Sequence, residues 1–212
     1  MLRALHGAGF DYVMATPHMR PALFDNQKAD LERAFQAMEI TSESGLPEVG
    51  LSSEHFFDDI VFQRLMNGEA LPYPGGKAVL VEFPNDAFPA RIADRFFDLR
   101  MRKLRPVLAH PERYRPVWKD RTVLDSFLDS GVVLLLDVAA LAGKYGRAPE
   151  RAAIELLEDG YYVAACSDAH RAKDVEDVAR GILRLEKLVG KEEAEYLLRE
   201  GPMAILNGTL ET

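Results

Sequence analysis

The sequence predicts an α/β fold built on a parallel sheet, and three observations support this prediction. Six short apolar runs recur along the 212 residues. They are continuous rather than alternating, which is typical of strands buried on both faces of a parallel sheet. Segments with apolar residues at helical spacing separate them, and such alternation indicates an α/β protein. Hydrophobic residues make up 48% of the chain, enough to bury a substantial core.

The elements follow one another without a low-complexity linker or a repeat, so we expect one domain over residues 1–212. The predicted strands cover residues 10–16, 49–53, 78–83, 106–109, 132–137 and 161–166. The predicted helices cover residues 27–44, 90–104, 121–131, 148–160 and 174–200. Gly131 and Gly160 stand where helices should end, because glycine tolerates the left-handed cap. Residues 1–9 are typical of the end of a helix, whereas an α/β unit normally opens with a strand. We therefore expect the sequence to begin after the position of the first strand.

Charge and composition exclude several classes of function. The net charge is −8, which argues against general nucleic-acid binding, since such proteins use a basic surface to neutralise phosphates. No apolar stretch reaches the roughly 20 residues of a membrane span, and the N-terminus lacks the features of a signal peptide. We therefore expect a cytoplasmic protein without a membrane span. The single Cys166 excludes an internal disulfide, a zinc ribbon and a CxxC redox pair.

Several familiar catalytic motifs are absent from the sequence. It contains no Gly-x-x-x-x-Gly-Lys-Ser/Thr phosphate loop, no Gly-x-Gly-x-x-Gly after a strand and no Gly-x-Ser-x-Gly elbow. Four residues separate Cys166 from Arg171, one fewer than the Cys-x5-Arg loop of cysteine phosphatases, and Asp168 gives the loop the wrong charge. Nucleophilic serine or cysteine chemistry is therefore not predicted.

Acids and histidines instead follow the predicted strands. The runs end at or just before a recurring set: His18, Glu54, Glu82, His110, Asp137 and the pair Asp168 and His170. In a parallel barrel the C-terminal ends of all strands meet at one face, where active sites are built. Histidines and carboxylates gathered there suit divalent cations such as manganese, zinc or iron.

Each of these residues also has a plain structural explanation. A lone histidine after a strand often bonds only to backbone, Glu82 fits a salt bridge at the barrel rim, and Asp137 fits a cap for the next element of the chain. His55 fits either a surface position or a position that supports the ligands. The recurrence of ligand types at nearly every strand end favours the metal site. Arg113 suits a phosphate oxygen, because guanidinium groups bind phosphate bidentately, although an ion pair with Glu112 or a nearby acid is the alternative.

Six motifs in order along the chain resemble the polymerase-and-histidinol-phosphatase (PHP) superfamily. They are "ATPH" (15–18), "SSEHFFDD" (52–59), "VEFP" (81–84), "AHPERY" (109–114), "LAGKYG" (141–146) and "SDAH" (167–170). They are most similar to the metal-dependent protein-tyrosine phosphatases encoded with bacterial capsule and exopolysaccharide genes. The resemblance implies a distorted (β/α)7 TIM-like barrel, and a phosphotyrosine protein as substrate, such as a bacterial tyrosine kinase of polysaccharide export.

The resemblance also implies site residues and a cofactor. The implied cofactor is a cluster of up to three divalent ions, with manganese first and iron, zinc or magnesium as alternatives. The implied metal ligands are His18, Glu54, Glu82, His110, Asp168 and His170. Arg113 resembles the phosphate-binding arginine of these enzymes. Asp168 and His170 are candidates for protonating the leaving group.

The chain departs from the family pattern at its start and at Asp137. Family members begin with a strand that carries His-x-His, whereas the only early histidine here is His6, and Met1 resembles a methionine inside the family's first helix. Asp137 stands where the family usually carries Gln and Asn. We expect low phosphatase activity that an upstream segment with His-x-His restores. We also expect an exposed sheet edge that favours homo-oligomers.

Two alternative functions remain open from the sequence. One is a histidinol-phosphate or other small-molecule phosphatase of the same superfamily, which the relative turnover of phosphotyrosine peptide and histidinol phosphate distinguishes. The other is a binding module that has lost catalysis with its first metal site, which negligible bound metal in a folded protein would indicate. The sequence leaves open the metal, the physiological substrate and the role of Asp137.

Overall fold

The computed structural model describes residues 1–38 and 45–210, and every strand pairing in it is parallel. The strands are β1 (Tyr12–Ala15), β2 (His18–Met19), β3 (Glu48–Leu51), β4 (Glu54–Phe56), β5 (Ala78–Glu82), β6 (Arg105–Ala109), β7 (Val133–Asp137) and β8 (Tyr162–Cys166). Each of the six predicted strands overlaps one of these elements, and β2 and β4 lie just beyond the predicted ranges. The α/β fold with a parallel sheet is therefore confirmed.

The sheet is assembled from two groups of strands. β1 pairs with β3, and the remaining six strands follow the order β2-β4-β5-β6-β7-β8. The register of Ala15 with Leu51 continues as His18 with Glu54, so β1–β2 and β3–β4 are two bent strands that stay paired. Within residues 1–38 and 45–210, β8 pairs with β7 alone, so the sheet is open there and closure into a barrel is not confirmed.

Helices cover the sheet between successive strands. They are α1 (Leu2–Gly7), α2 (Lys28–Ala37), α3 (Asp59–Met66), α4 (Ile92–Met101), α5 (Arg115–Lys119), α6 (Asp125–Asp129), α7 (Val138–Leu141), α8 (Arg147–Glu158), α9 (Val175–Val189), α10 (Lys191–Glu195) and α11 (Gly201–Asn207). In the part of the chain that the structure describes, none is both long enough and apolar enough to cross a bilayer.

Two predicted helices differ from the elements found in the structure. Residues 121–131 form a 3-10 turn (Arg121–Leu124) followed by the short α6. The long helix predicted over residues 174–200 ends at Gly190, whose φ of 84° no right-handed helix accommodates. Residues 39–44 of the predicted first helix lie outside the described residues. Gly131 and Gly160 follow α6 and α8 with positive φ, as predicted.

Both faces of the sheet are buried, which explains the continuous apolar runs. Leu134 and Leu136 point into the large cluster that packs against the helices. Leu80 and Leu135 lie on the other face, in a smaller cluster that Ile205 of α11 joins. Because side chains alternate along a strand, the next inner positions after Leu80 and Leu135 are Glu82 and Asp137. The apolar inner layer thus gives way to acids at the C-terminal ends of the strands.

Candidate active site

His18, Glu54 and Glu82 come together at the C-terminal edge of neighbouring strands. The parallel register places His18 beside Glu54, and Glu82 ends the next strand, β5. His18 Nε2 lies 3.3 Å from Glu54 Oε2 and 3.2 Å from Glu82 Oε1. One ligand atom from each residue lies within 4.8 Å of the other two. The close contact with Glu82, opposed by burial and assisted by the Glu54 and Asp168 charges, raises the pKa of His18.

The donor set of this group fits a divalent cation. One imidazole nitrogen and two carboxylate oxygens are ligands that manganese, iron and zinc all accept. Glu54 and Glu82 are both buried, and two neighbouring buried carboxylates repel each other unless a cation lies between them. Glu82 Oε1 is also buried without a hydrogen bond of good geometry, although it lies close to His18. This unsatisfied oxygen is available to a metal ion.

His110 extends the group from the end of β6. Its backbone adopts the left-handed conformation with φ 38°, which is uncommon for a non-glycine residue and turns the side chain at the strand end. Nε2 lies 3.1 Å from Glu54 Oε1, so Glu54 contacts two imidazoles, while the buried Nδ1 has no hydrogen-bond partner. Burial lowers the pKa of His110, but the hydrogen bond to Glu54 and the Glu54 and Asp168 charges outweigh burial and raise it.

Arg113 lies beside this group on the 3-10 turn Pro111–Arg113. Its Nη1 is 2.5 Å from Asp168 Oδ2 and 3.6 Å from Asp137 Oδ2. Its Cζ lies 4.8 Å from the ring centre of Tyr145, a cation–π contact. Burial alone would lower the pKa of Arg113, but these neighbours raise it, so the guanidinium carries a permanent charge. Of the ion-pair partners that the sequence allowed for Arg113, the structure shows two nearby acids, Asp168 and Asp137, and not Glu112.

Asp168 and His170 follow β8, outside the group of His18, Glu54 and Glu82. Asp168 has φ 38° and pairs with Arg113, but its charge still contributes to the raised pKa of His18. His170 is exposed, and its ring centre lies 6.4 Å from that of His18. Among the described residues, three of the six predicted ligands therefore lie within ion-holding distance. The assignment of His110, Asp168 and His170 as ligands stays a prediction.

Two buried residues lie beneath the site. His55 is fully buried, which excludes the surface alternative and leaves the supporting position: Nδ1 donates to Leu80 O at 2.8 Å, and Leu71 N donates to Nε2 at 3.3 Å. Glu112 is 0% exposed and accepts hydrogen bonds from Asp137 N at 3.1 Å and from the Tyr162 hydroxyl at 2.9 Å.

Asp137 and Tyr145 complete the surroundings of Arg113. Asp137 Oδ1 accepts from Ala139 N at 2.9 Å and so caps α7, which agrees with the plain explanation of that residue. Its Oδ2 is buried without a hydrogen-bond partner, and burial followed by the Asp168 charge raises the pKa of the carboxyl. Tyr145 lies between α7 and α8, and burial followed by the Asp137 charge raises the pKa of its hydroxyl. No pattern in the sequence connects this tyrosine with Arg113.

Comparisons with known proteins find similar sequences over most of the chain. Residues 1–207 match the family model described as capsular polysaccharide synthesis, CpsB/CapC. The chain is 27% identical to tyrosine-protein phosphatase YwqE of Bacillus subtilis, over 99% of this chain and 84% of that protein. It is 22% identical to the putative tyrosine-protein phosphatase CapC of Staphylococcus aureus, over 92% of this chain and 78% of that protein.

A solved structure is also similar to this chain. It comes from the pair YwqE of Bacillus subtilis and CpsB of Streptococcus pneumoniae, which are described together as metal-dependent tyrosine phosphatases. The TM-score is 0.83 at 27% identity, and the match covers 97% of this chain and 84% of the solved chain. The similarity therefore extends over nearly all of the chain, including every candidate site residue.

Proposed function

Since the chain belongs to the CpsB/CapC family of capsular polysaccharide synthesis proteins, we propose that it is a metal-dependent protein-tyrosine phosphatase of capsule or exopolysaccharide synthesis. The family match confirms the resemblance found in the motifs. The names of two relatives and the similar solved structure support the activity. The observation that carries the proposal is the ion-compatible group of His18, Glu54 and Glu82, with the permanent charge of Arg113 nearby.

The proposed ligands are the predicted ones. His18, Glu54 and Glu82 form the core of the metal site, and His110, Asp168 and His170 are proposed to complete it. When bound, divalent ions supply Lewis acidity toward a phosphate oxygen and toward a water molecule. Glu54 and Glu82 neutralise the ions, and the contact of Glu54 with both His18 and His110 fixes the directions of the two rings.

The remaining residues bind the phosphoryl group and the leaving group. Arg113 offsets negative charge on the phosphoryl oxygens, which is where charge accumulates during phosphoryl transfer. Asp137 and Tyr145 hold its guanidinium in place. His170 is exposed at the site and is proposed to donate a proton to the leaving phenolate oxygen. Protonation of the leaving oxygen matters less for an aryl ester than for an alkyl ester, because phenol has a pKa of about 10.

The experiment compares three substrates on the purified chain with added manganese. We expect phosphate release from a phosphotyrosine peptide to exceed release from a phosphoserine peptide and from histidinol phosphate, and a chelator to abolish it. Higher turnover of histidinol phosphate supports the small-molecule alternative. A folded protein that binds no metal and releases no phosphate supports the binding module and overturns the proposal.

Finer features remain proposals as well. They are manganese as the preferred ion, a tyrosine kinase of polysaccharide export as the substrate, a cytoplasmic location, homo-oligomerisation, one domain over residues 1–212, and closure into a seven-stranded barrel. A single large buried cluster that includes Met19 of β2 and extends to Leu197 supports the single domain. Metal analysis and size-exclusion chromatography with light scattering test the ion and the oligomeric state.

A further inference from the structure

We propose that Phe24 is the aromatic wall against which the phenyl ring of the substrate packs, and that it gives the site its preference for aryl phosphates. The inference rests on the proposed phosphatase function and names the part of the substrate that this residue contacts. It concerns the loop of residues 20–26, here called the mouth loop, which directly follows the candidate ligand His18.

The mouth loop exposes apolar side chains beside a polar site. Phe24 is 51% exposed and its neighbour Leu23 is 60% exposed. The ring centre of Phe24 lies 5.8 Å from that of His18, with the ring planes inclined by 43°. An aromatic side chain left open to water next to charged groups suggests a binding role, because exposed apolar patches often mark ligand or partner sites.

The backbone of the mouth loop is held in place without a ligand. Arg20 N donates to Phe24 O at 2.9 Å, and Phe24 N donates to Arg20 O at 2.8 Å. Asn26 Nδ2 donates to His18 O at 2.7 Å, which ties the far end of the loop to β2. The Arg20 guanidinium also stacks over the ring of Phe56 at 4.0 Å. Phe24 therefore occupies a defined position before substrate binds, which reduces the entropy cost of the contact.

The chemistry of an aryl phosphate places its ring where Phe24 can reach it. In phosphotyrosine a single oxygen joins phosphorus to the phenyl ring, so the ring lies at the edge of whatever holds the phosphate. The phosphate is assigned to Arg113 and to ions near His18, and Phe24 contacts His18 from the exposed side. Aromatic rings attract one another in tilted or offset geometry at centroid distances of about 4.5–7 Å. An alkyl phosphate such as phosphoserine offers no ring for this contact.

The test uses two non-hydrolysable probes, phenylphosphonate and methylphosphonate, which differ by the ring. Their affinities are measured by calorimetry on the manganese-loaded wild type, on Phe24→Ala and on the control Phe97→Ala, which truncates a phenylalanine of α4 that is 57% exposed. We expect the wild type and Phe97→Ala to bind phenylphosphonate roughly three- to tenfold more tightly than methylphosphonate. In Phe24→Ala this preference should disappear, while the affinity for methylphosphonate stays unchanged.

Turnover of phenyl phosphate gives a second readout. Phe24→Ala should raise KM roughly three- to tenfold with kcat little changed, because a contact made equally in the ground and transition states alters binding alone. If the wild type hydrolyses phenyl phosphate but Phe24→Ala keeps its preference for phenylphosphonate over methylphosphonate, the role of Phe24 is overturned and the phosphatase proposal stands. If Phe24→Ala loses that preference but the wild type does not hydrolyse phenyl phosphate, the phosphatase function alone is overturned. Failure of the wild type to bind either phosphonate overturns both.

Discussion

The two halves of the candidate site balance their charges in different ways. The cation half consists of His18, Glu54, Glu82 and His110, and the arginine half consists of Arg113, Asp137, Asp168 and Tyr145. The arginine half contains its own permanent cation between two carboxylates. The cation half has imidazoles opposite its carboxylates. Each half contains a buried carboxylate oxygen without a hydrogen-bond partner, Glu82 Oε1 and Asp137 Oδ2, but only the second lies beside a permanent cation, 3.6 Å from Arg113 Nη1. The difference indicates that Arg113 balances the charge of one half, whereas the carboxylates of the other half are available to an added ion.

A buried residue that favours its neutral form lies beneath each half. Burial lowers the pKa of His55 to about 4, so this neighbour of Glu54 in β4 is neutral at pH 7. Burial, followed by the Asp137 charge, raises the pKa of Glu112 to about 7, and this residue fixes the backbone of Asp137. The charged side chains of the site thus lie above buried side chains that are fixed by hydrogen bonds. Four predictions test this division, from the largest expected effect to the smallest.

Glu54→Gln should disable the cation half. Glu54 contacts both His18 and His110, and a neutral amide removes charge that a divalent ion needs. We expect metal affinity to fall more than about 100-fold and kcat/KM for a phosphotyrosine peptide to fall roughly 1,000-fold. Metal content by mass spectrometry and steady-state kinetics measure the change. Glu158→Gln on the surface of α8 is the control, and equal metal content in both variants contradicts the assignment.

Glu112→Ala should destabilise the fold beneath the arginine half. The truncation leaves the Tyr162 hydroxyl and Asp137 N–H buried without their acceptors. We expect the free energy of unfolding to fall by about 3 kcal/mol, since each such orphaned group costs about 1–3 kcal/mol. Glu112→Gln places an amide oxygen, which still accepts a hydrogen bond, where the carboxylate was. This variant should therefore lose clearly less unfolding free energy. Urea denaturation compares the two, and equal losses would show that the hydrogen bonds are not what Glu112 contributes.

Arg113→Lys should impair the arginine half while leaving the cation half intact. Lysine keeps the charge but loses the planar fork that binds two phosphate oxygens. We expect kcat/KM to fall about 30-fold with metal content unchanged. Arg115→Lys is the matched control, because Arg115 lies two positions away and pairs with Asp86 at the surface. A parallel loss of metal from Arg113→Lys would mean that the two halves are not separable.

His55 should make stability depend on pH below neutrality. Its pKa is about 4 in the folded chain and about 6.5 when unfolded, so between these values the unfolded chain binds more protons. Stability is therefore highest above pH 6.5 and falls as the pH drops toward 4. From pH 7.5 to 5.5 we expect this group to remove about 1.3 kcal/mol.

The variant His55→Gln lacks this titration and isolates its effect. The difference in unfolding free energy between wild type and variant, measured in urea at both pH values, should shrink by that amount at the lower pH. A constant difference at the two pH values would show that His55 is not held neutral by burial in the folded chain.

Much of the fold was predictable because it depends on local patterns. The continuous apolar runs located all six strand regions, and the positive φ of Gly131 and Gly160 confirms the predicted helix ends. The break at Gly190 was missed because the chain returns to a helix directly after it, in α10. Barrel closure was not predictable in this way. It depends on whether β8 pairs with the first strand, and the local pattern of neither strand shows that.

The site was predictable in its residue types but not in its grouping. The sequence proposed six ligands around shared ions, whereas the structure brings His18, Glu54 and Glu82 together and pairs Asp168 with Arg113. Phe24 and Tyr145 were missed because their roles come from the residues beside them in space. Phe24 lies in no motif. Tyr145 lies within the motif "LAGKYG", but nothing in that motif indicates its contact with Arg113.

The sequence by itself determined the parallel α/β architecture and the presence of acids and histidines at the strand ends. Periodicity along the chain sets which residues are buried, and parallel strands must end at one edge. Only the tertiary structure decided which charges share a cation and which pair with Arg113. Such electrostatic partnerships depend on distances of a few ångströms between residues up to 64 positions apart (82 − 18 = 64 for His18 and Glu82), and no spacing in the chain encodes those distances.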